Sequence, residues 1–254
     1  MIKAIASRFR QGHRTVRFPG PSVALPDRFR GRPMIDVSKC PDECRECAEA
    51  CPTDAITFDE GVARVDLGRC LFCTDCRDAC PTGAIVHSTD WRMAARTRDD
   101  LVVQDELRLA QALEARARRL FGRSLALRQV SAGGCNACEA DVNVLNTIVF
   151  DLGRFGVQFV ASPRHADGLL ITGPVTENMT LALRKTYEAV PSPRIVVAVG
   201  ACAISGGPYA GHPEQRGGAD ALLPVDLYIP GCPPHPFTIL DGLLRLLGRL
   251  EPAR

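Results

Sequence analysis

Cys70-Leu71-Phe72-Cys73-Thr74-Asp75-Cys76-Arg77-Asp78-Ala79-Cys80-Pro81 repeats a pattern already present upstream. Cys40, Cys44, Cys47 and Cys51-Pro52 precede it, with one extra residue in the first gap, within Pro41 to Glu43. Cys51-Pro52-Thr53-Asp54-Ala55-Ile56 returns as Cys80-Pro81-Thr82-Gly83-Ala84-Ile85 at an offset of 29, and Cys44 and Cys47 map onto Cys73 and Cys76 at the same offset. Two similar half-units of about 30 residues predict a small pseudo-symmetric domain over 34–90. Its apolar content is thin, so bound metal must supply part of its cohesion.

The remaining thiols complete the pattern. The chain has 12 cysteines, and the last four are Cys135, Cys138, Cys202 and Cys232. Three groups of four leave none over, and four thiolates are what one cubane iron–sulfur cluster needs. The chain therefore reads as a carrier of three 4Fe–4S clusters. In each close-spaced run three thiolates can wrap one cube while the fourth, after a turn, reaches its neighbour. Zinc held by C-x2-C pairs does not call for eight cysteines in duplicated quartets ending in Cys-Pro. A thioredoxin-like reading of Cys135 and Cys138 leaves Cys202 and Cys232 unexplained.

Outward from the thiols, the bulk properties are those of an ordinary globular protein: 254 residues, 46% hydrophobic and 24% charged. No apolar run is long enough for a transmembrane helix. The first 20 residues lack the apolar centre of a secretory signal, which predicts a reducing compartment where cysteines bind metal rather than pair. Charge is unevenly spread. Residues 1–39 hold nine Lys/Arg against two Asp/Glu, and residues 40–90 hold four against eleven. Such asymmetry suits docking to other proteins or an acidic surface. Aromatic content is 6%, and with no recognisable motif a nucleic-acid partner is not expected.

Residues 1–33, with Pro19, Pro21, Pro26 and Pro33, are expected to form an extended basic arm, lying on a partner or disordered. Leu109, Leu113 and Leu120 share helical spacing in an uninterrupted run, so 101–120 is expected to be a helix within a linker over 91–122. Beyond it, 123–254 alternates apolar runs with helical segments. Leu125 to Val130, Gly156 to Val160, Asp167 to Ile171, Arg194 to Val199 and Val225 to Ile229 read as buried strands, and Val142 to Leu152, Asn178 to Val190 and Pro236 to Leu250 as helices. Alternation predicts a parallel sheet covered by helices. Ligands gather beyond the carboxyl ends of such strands, and Cys135, Cys202 and Cys232 follow three of them.

Residues 34–90 resemble a bacterial two-cluster ferredoxin. The resemblance implies that Cys40, Cys44, Cys47 and Cys80 bind one cluster, and Cys70, Cys73, Cys76 and Cys51 the other. Gly133-Gly134-Cys135-Asn136-Ala137-Cys138-Glu139, Leu170 to Val175, Val199-Gly200-Ala201-Cys202-Ala203 and Ile229-Pro230-Gly231-Cys232-Pro233-Pro234 together resemble the small subunit shared by NiFe hydrogenases and complex I, over about 123–250. That resemblance implies a flavodoxin-like α/β domain holding one 4Fe–4S cluster beside a large partner. Complex I versions carry adjacent cysteines at the first motif; the Cys135-x2-Cys138 spacing resembles the hydrogenase branch instead. Ala137 replaces a more familiar glycine, and His235 stands where a basic residue often follows the two prolines.

The whole thus resembles a ferredoxin fused to the small subunit of a complex I-like, membrane-bound NiFe hydrogenase of formate hydrogenlyase type. What this implies is an electron-transfer subunit without its own catalytic residues, working beside a hydrogenase large subunit or complex I 49 kDa-like subunit. Membrane antiporter-like subunits and an electron donor or acceptor protein would complete the assembly, peripheral at the cytoplasmic face of the membrane. A nickel-free complex I relative reducing a quinone or another acceptor is the alternative. A carrier working without a large subunit is a third, and the last cysteine group weighs against it.

Gly133, Gly134, Gly206, Gly207 and Gly231 read as permitting positive φ and close backbone approach, and Gly133, Gly134 and Gly231 are expected to bring backbone N–H groups toward the third cluster rather than serve as plain turns. Glu139 reads either as a group beside that cluster, on a proton path, or as a helix N-terminal acid. His235 is expected at the surface, with tuning of the third cluster or contact with the partner as the alternatives. His87, His165 and His212 have no assignable partners. Ser131 and Ser205 lack a His/Asp arrangement, and Gly206 to Gly211 is no nucleotide fingerprint.

Overall fold

The computed structural model describes residues 2–12, 14–20, 25–41, 43–59, 61–104 and 106–250. A first helix, α1 (Ile2–Gln11), leads by irregular chain to β1 (Pro33–Ile35). Then follow α2 (Glu46–Glu49), β2 (Ile56–Asp59), β3 (Val62–Asp66), α3 (Asp75–Ala79), β4 (Ile85–His87) and β5 (Val102–Val103). β1 pairs antiparallel with β4, and β3 lies between β2 and β5 in an antiparallel sheet.

The internal repeat is copied into the backbone. Glu43 and Phe72, one repeat apart, are both left-handed (φ 60° and 54°), as are Asp54 and Gly83 (φ 50° and 62°). A left-handed non-glycine residue costs energy unless the surroundings demand it. The matched pairs show that both loops take the same turn, with the extra residue of the first gap absorbed ahead of Glu43.

The second half comprises α4 (Ala115–Phe121), β6 (Leu125–Ser131), α5 (Ala137–Val144), β7 (Val157–Phe159), β8 (Gly168–Thr172), α6 (Glu177–Ala189), β9 (Ile195–Val199), α7 (Ala201–Ser205), β10 (Leu227–Ile229) and α8 (Pro236–Leu246). Five parallel strands lie in the order β7-β6-β8-β9-β10, the flavodoxin-like arrangement whose switch point falls between β6 and β8. Every residue of β8 and β9 is buried, as expected for strands covered on both faces. Leu169 and Ile171 join one core while Leu170 joins the other, the period of two that separates the sheet faces.

The core on the first face is continuous with that of the ferredoxin-like half. It runs from Val65, Leu67, Leu101 and Val103 through Met93, Ala95 and Tyr228 to Val196 and Ala198. Ala95 pairs antiparallel with Tyr228 of β10, while Val102 and Val103 pair with β3. The segment over 93–103 is therefore stitched to both sheets.

Four expected elements differ. The helix read over Pro236 to Leu250 ends at Leu246, and left-handed Gly248 (φ 67°) turns the chain beyond it. The arm over 1–33 is not extended throughout, since it begins with α1. The linker helix over 91–122 is confined to Ala115–Phe121. Ahead of it, Ala110 N–H donates to Ala94 and Leu113 N–H to Leu246 at 2.7 and 2.9 Å, so its backbone bonds go to other segments and tertiary packing overrides helix propensity. The helix read over Val142 to Leu152 instead starts at Ala137 and ends at Val144. Asn146, Thr147, Ile148 and Val149 are weak helix formers, and left-handed Asp151 (φ 49°) turns the chain away. Among the described residues no helix is long and apolar enough to cross a membrane.

Candidate metal centres

Cys40, Cys44, Cys47 and Cys80 line one chamber, closed by Ile35, Pro41, Phe58 and Ile85. Cys51, Cys70, Cys73 and Cys76 line a second, closed by Pro33, Ile56, Val65 and Leu71. The fourth thiol of each set thus comes from the opposite repeat, because the turn after each helix carries Cys51 or Cys80 across to the neighbouring chamber. Ala55 N–H donates to Cys51 Sγ at 3.2 Å, and Ala84 N–H to Cys80 Sγ at 3.3 Å. Phe72 N–H reaches Cys70 Sγ at 3.3 Å, an approach its left-handed backbone allows. Arg45 lies over the Phe58 ring at 4.5 Å, covering the first chamber.

The third group forms at the carboxyl ends of the large sheet. Cys135 follows β6, Cys138 sits in the first turn of α5, Cys202 in α7 after β9, and Cys232 follows β10. Left-handed Asn136 (φ 70°) turns the chain into α5. Cys135 and Cys232 are exposed, whereas Cys138 and Cys202 are half-buried. This half-open group presents a face on which a partner can sit.

The electrostatics describe how the thiols are grouped. Burial pushes the Cys70 thiol up to about 12 and Cys76 to about 11, with their chamber-mates adding to both. Burial raises Cys138 further, aided by Cys202, Glu139, Cys232 and Cys135. Cys202 is pushed up to about 11, by burial and then by Cys232 and Cys135. Cys80 goes the other way: against the pull of burial, donors from Thr82, Ala84 and Ile85 hold it below its ordinary value. Thiolates in these places are costly unless a cation offsets them, and bound iron does so. Two links cross between groups. Cys47 contributes to the rise at Cys76, and Cys73 to that at Cys232, so the second group lies near both of the others.

Donor type, grouping and sulfur-directed N–H bonds fit 4Fe–4S clusters in the first two chambers and, by donor set, in the third. A Cβ on Gly200 would lie 2.5 Å from Cys138 Sγ, and one on Gly207 2.9 Å from Cys202 Sγ. These glycines make the room. Gly207 is one of the glycines read from sequence as allowing close approach, whereas a Cβ on the three expected to aim N–H groups at the cluster would meet other groups. Gly133 abuts Thr176, Gly134 abuts Glu139 and Gly173, and Gly231 abuts Pro234. The Gly200 signal was present in its position after a buried strand and just ahead of Cys202.

Glu139 is buried, and its Oε1 accepts from Ser131 at 2.6 Å and Thr172 at 2.7 Å. It ties α5 to β6 and β8 at the switch point. Burial opposes its charge, but the two hydroxyls hold its carboxyl below the ordinary value. His235 is half-buried rather than at the surface: its Nδ1 accepts Phe237 N–H at 3.2 Å, capping α8, and its ring stacks on Phe237. His87 is half-buried, and burial lowers its pKa below the ordinary value. His165 is exposed, and His212 Nδ1 accepts Glu214 N–H. Ser205 donates to Gly68 and Ala201 carbonyls, a structural role.

Residues 135–246 match the family model of the NADH ubiquinone oxidoreductase 20 kDa subunit, and residues 39–84 that of the 4Fe–4S dicluster domain. A probable membrane-bound hydrogenase subunit of Pyrococcus furiosus is 42% identical over 52% of this chain and 79% of its own length. Formate hydrogenlyase subunit 7 of Escherichia coli is 44% identical over 51% of this chain; the chain spans about half, 51%, of that relative. An NADH-quinone oxidoreductase subunit of Heliobacterium modesticaldum is 39% identical over 47% of this chain and 69% of its own length. Thiol geometry and likeness converge: the chain belongs to the NADH ubiquinone oxidoreductase 20 kDa subunit family, fused behind a 4Fe–4S dicluster domain, and is an iron–sulfur electron-transfer subunit of the complex I-like hydrogenase and quinone oxidoreductase class.

Proposed function

We propose that the chain carries three 4Fe–4S clusters and serves a membrane-bound, complex I-like NiFe hydrogenase of the formate hydrogenlyase type. The ligand sets are Cys40, Cys44, Cys47 and Cys80; Cys51, Cys70, Cys73 and Cys76; and Cys135, Cys138, Cys202 and Cys232. The observation that carries this reading is the gathering of the first eight thiols around two closed chambers, with the last four placed at the carboxyl ends of the large sheet. When bound, each cluster supplies reversible one-electron transfer. The chain's own residues hold the second set near both of the others, exclude water from the first two, and leave Cys135 and Cys232 open to a partner.

The units are an N-terminal arm (1–33), a ferredoxin-like unit (34–90), a connecting segment (91–122) and a small-subunit-like unit (123–254). The partner at the open face is a large subunit bearing nickel, with antiporter-like subunits in the membrane, on its cytoplasmic side. Cys135-x2-Cys138 supports the hydrogenase branch, as do the names of two relatives. A nickel-free complex I relative acting on a quinone or another acceptor is the second reading, supported by the likeness to quinone oxidoreductase subunits.

Anaerobic purification of the native complex from membranes, with iron and nickel quantified per copy of this chain, tests both. Three cubanes require about 12 iron atoms from this chain. Nickel near one per chain is expected. Iron at that level without nickel would move the function to the second reading, and about eight iron atoms in this chain would remove the third cluster.

A further inference from the structure

The first helix wears its apolar face outward. Ile2, Ile5 and Phe9 fall within roughly 60° of one another around α1 at about 100° per residue, and they are 84%, 55% and 87% exposed. No residue of α1 is buried, and Ser7, on the polar side, is the one half-buried residue in it. A surface helix normally turns its apolar stripe to the core; this one is inverted.

Its charge is as one-sided as its exposure. Lys3 and Arg10 flank the stripe on one side and Arg8 on the other; Arg14 and Arg17 follow, and residues 1–26 contain no Asp or Glu. The chain just beyond the helix is tied down. Arg8 closes its last turn on the Gly12 carbonyl at 2.8 Å. Beyond it, Thr15 Oγ1 donates to Ile148, Val16 N–H to Val149, and Arg154 to Val16, at 3.1, 2.8 and 2.7 Å. Phe18 is buried against Phe155 and Phe237. The edge that receives this strap carries two more outward apolar side chains, Ile148 and Val149, 69% and 43% exposed.

We propose that α1 is an interfacial anchor lying in the headgroup layer of an anionic bilayer, with Ile2, Ile5 and Phe9 at the acyl boundary and Lys3, Arg8 and Arg10 on lipid phosphates. An apolar stripe bordered by cations on both sides and free of acids matches a negatively charged lipid surface. A protein groove covering the same stripe would have to supply acids along both borders. The proposal rests on the membrane-complex reading above, adding where this chain itself touches lipid. Three large side chains on one short helix give reversible attachment, comparable to a single lipid chain, so α1 docks a complex already held by other subunits.

The test is sedimentation of the full chain, purified anaerobically with its iron, with sucrose-loaded vesicles of phosphatidylcholine alone or mixed with phosphatidylglycerol. Binding to the anionic vesicles is expected to exceed binding to the neutral ones by about tenfold or more, and to fall as salt screens the cations. Ile5→Glu and Phe9→Glu should each lower it about tenfold while leaving iron content and melting temperature unchanged, since both side chains project into solvent. Equal binding to both vesicles, or wild-type binding by Phe9→Glu, would overturn the proposal. Failure to bind either vesicle, with α1 protected from trypsin in the detergent-purified complex but not in the isolated chain, would assign the face to a protein partner. Loss of the nickel reading would leave the vesicle result standing, and loss of vesicle binding would leave the redox reading standing.

Discussion

Ser205 donates its hydroxyl to the Gly68 carbonyl at 2.9 Å, joining the helix that carries Cys202 to the turn that leads into Cys70. Beside it Arg98 holds Asp66 through two bonds of 2.7 and 2.6 Å. A Cβ on Gly68 would meet Ile204 at 2.7 Å and the Arg98 guanidinium at 2.9 Å. The two halves therefore meet here at a packed surface, tied by one hydroxyl bond and one ion pair.

Removing one partner of that ion pair should be costly. The side chains are 25% and 16% exposed, and losing Arg98 leaves a half-desolvated carboxylate that also accepts Gly68 N–H. Arg98→Met is expected to destabilise the protein by about 2 kcal/mol, read as a lower urea midpoint under anaerobic conditions. Adding Asp66→Asn should restore part of the loss; a purely additive double variant would show that the pair is not coupled.

Crossed ligation has an unambiguous signature. Cys80→Ser should remove about four iron atoms and the paramagnetic signal of the chamber holding Cys40, Cys44 and Cys47. Cys51→Ser should do the same for the chamber holding Cys70, Cys73 and Cys76. If each substitution instead emptied the chamber of its own repeat, the assignment would be wrong.

Gly200 tests the third group without touching a ligand. At φ 90° and with a built Cβ 2.5 Å from Cys138 Sγ, Gly200→Ala both strains the backbone and displaces the thiol. Loss of one cluster's iron, with the other two retained, is expected from iron analysis and low-temperature spectroscopy. Gly61→Ala, also left-handed at φ 82° but with none of the described residues within 4 Å of a built Cβ, should keep all of its iron and lose only about 1 kcal/mol.

His235 makes stability depend on pH in the acid direction. Burial lowers its pKa below the ordinary 6.5, Nδ1 is committed as an acceptor to Phe237 N–H, and Phe29 and Phe237 crowd the ring. The folded state favours neutral imidazole and the unfolded state takes up the proton more readily. The stabilising contribution is therefore complete above about 6.5 and is lost as pH falls through that value toward the folded pKa. Replacement His235→Asn keeps a capping oxygen and removes the titration. The fall in melting temperature between pH 7.5 and 5.5 should shrink in the variant; an unchanged fall would assign it to other groups.

Much of this was legible in the residues because it is local. Thiol spacing, the Cys-Pro turns and the five apolar strands depend on near neighbours, and their positions agree with the structure to within two residues at most strand ends. The repeat predicts a pseudo-symmetric unit, and its matched turns follow, Gly83 standing where Asp54 does, although only one of those left-handed positions holds a glycine. What the pattern hid is set by distant partners. The run over 104–114 has helical spacing, but Ala110 and Leu113 are claimed by Ala94 and Leu246. Gly133 reads like a cluster glycine, and the pattern does not show that a Cβ there would meet Thr176, 43 residues on. His235 reads as a surface group until Phe29 and Phe237 close around it.

The segment over 93–103 gives the fusion a meaning beyond tethering. Because it adds a strand to one sheet and bridges to the other, the relative placement of the halves resides in noncovalent contacts, not in the length of the connection. A chain nicked after Gln104 would keep its two pieces together, whereas one lengthened between Ala95 and Val102 would not seat. Covalent continuity thus settles stoichiometry: each assembly acquires one dicluster module per small-subunit module at synthesis, and neither can be diluted away from the other.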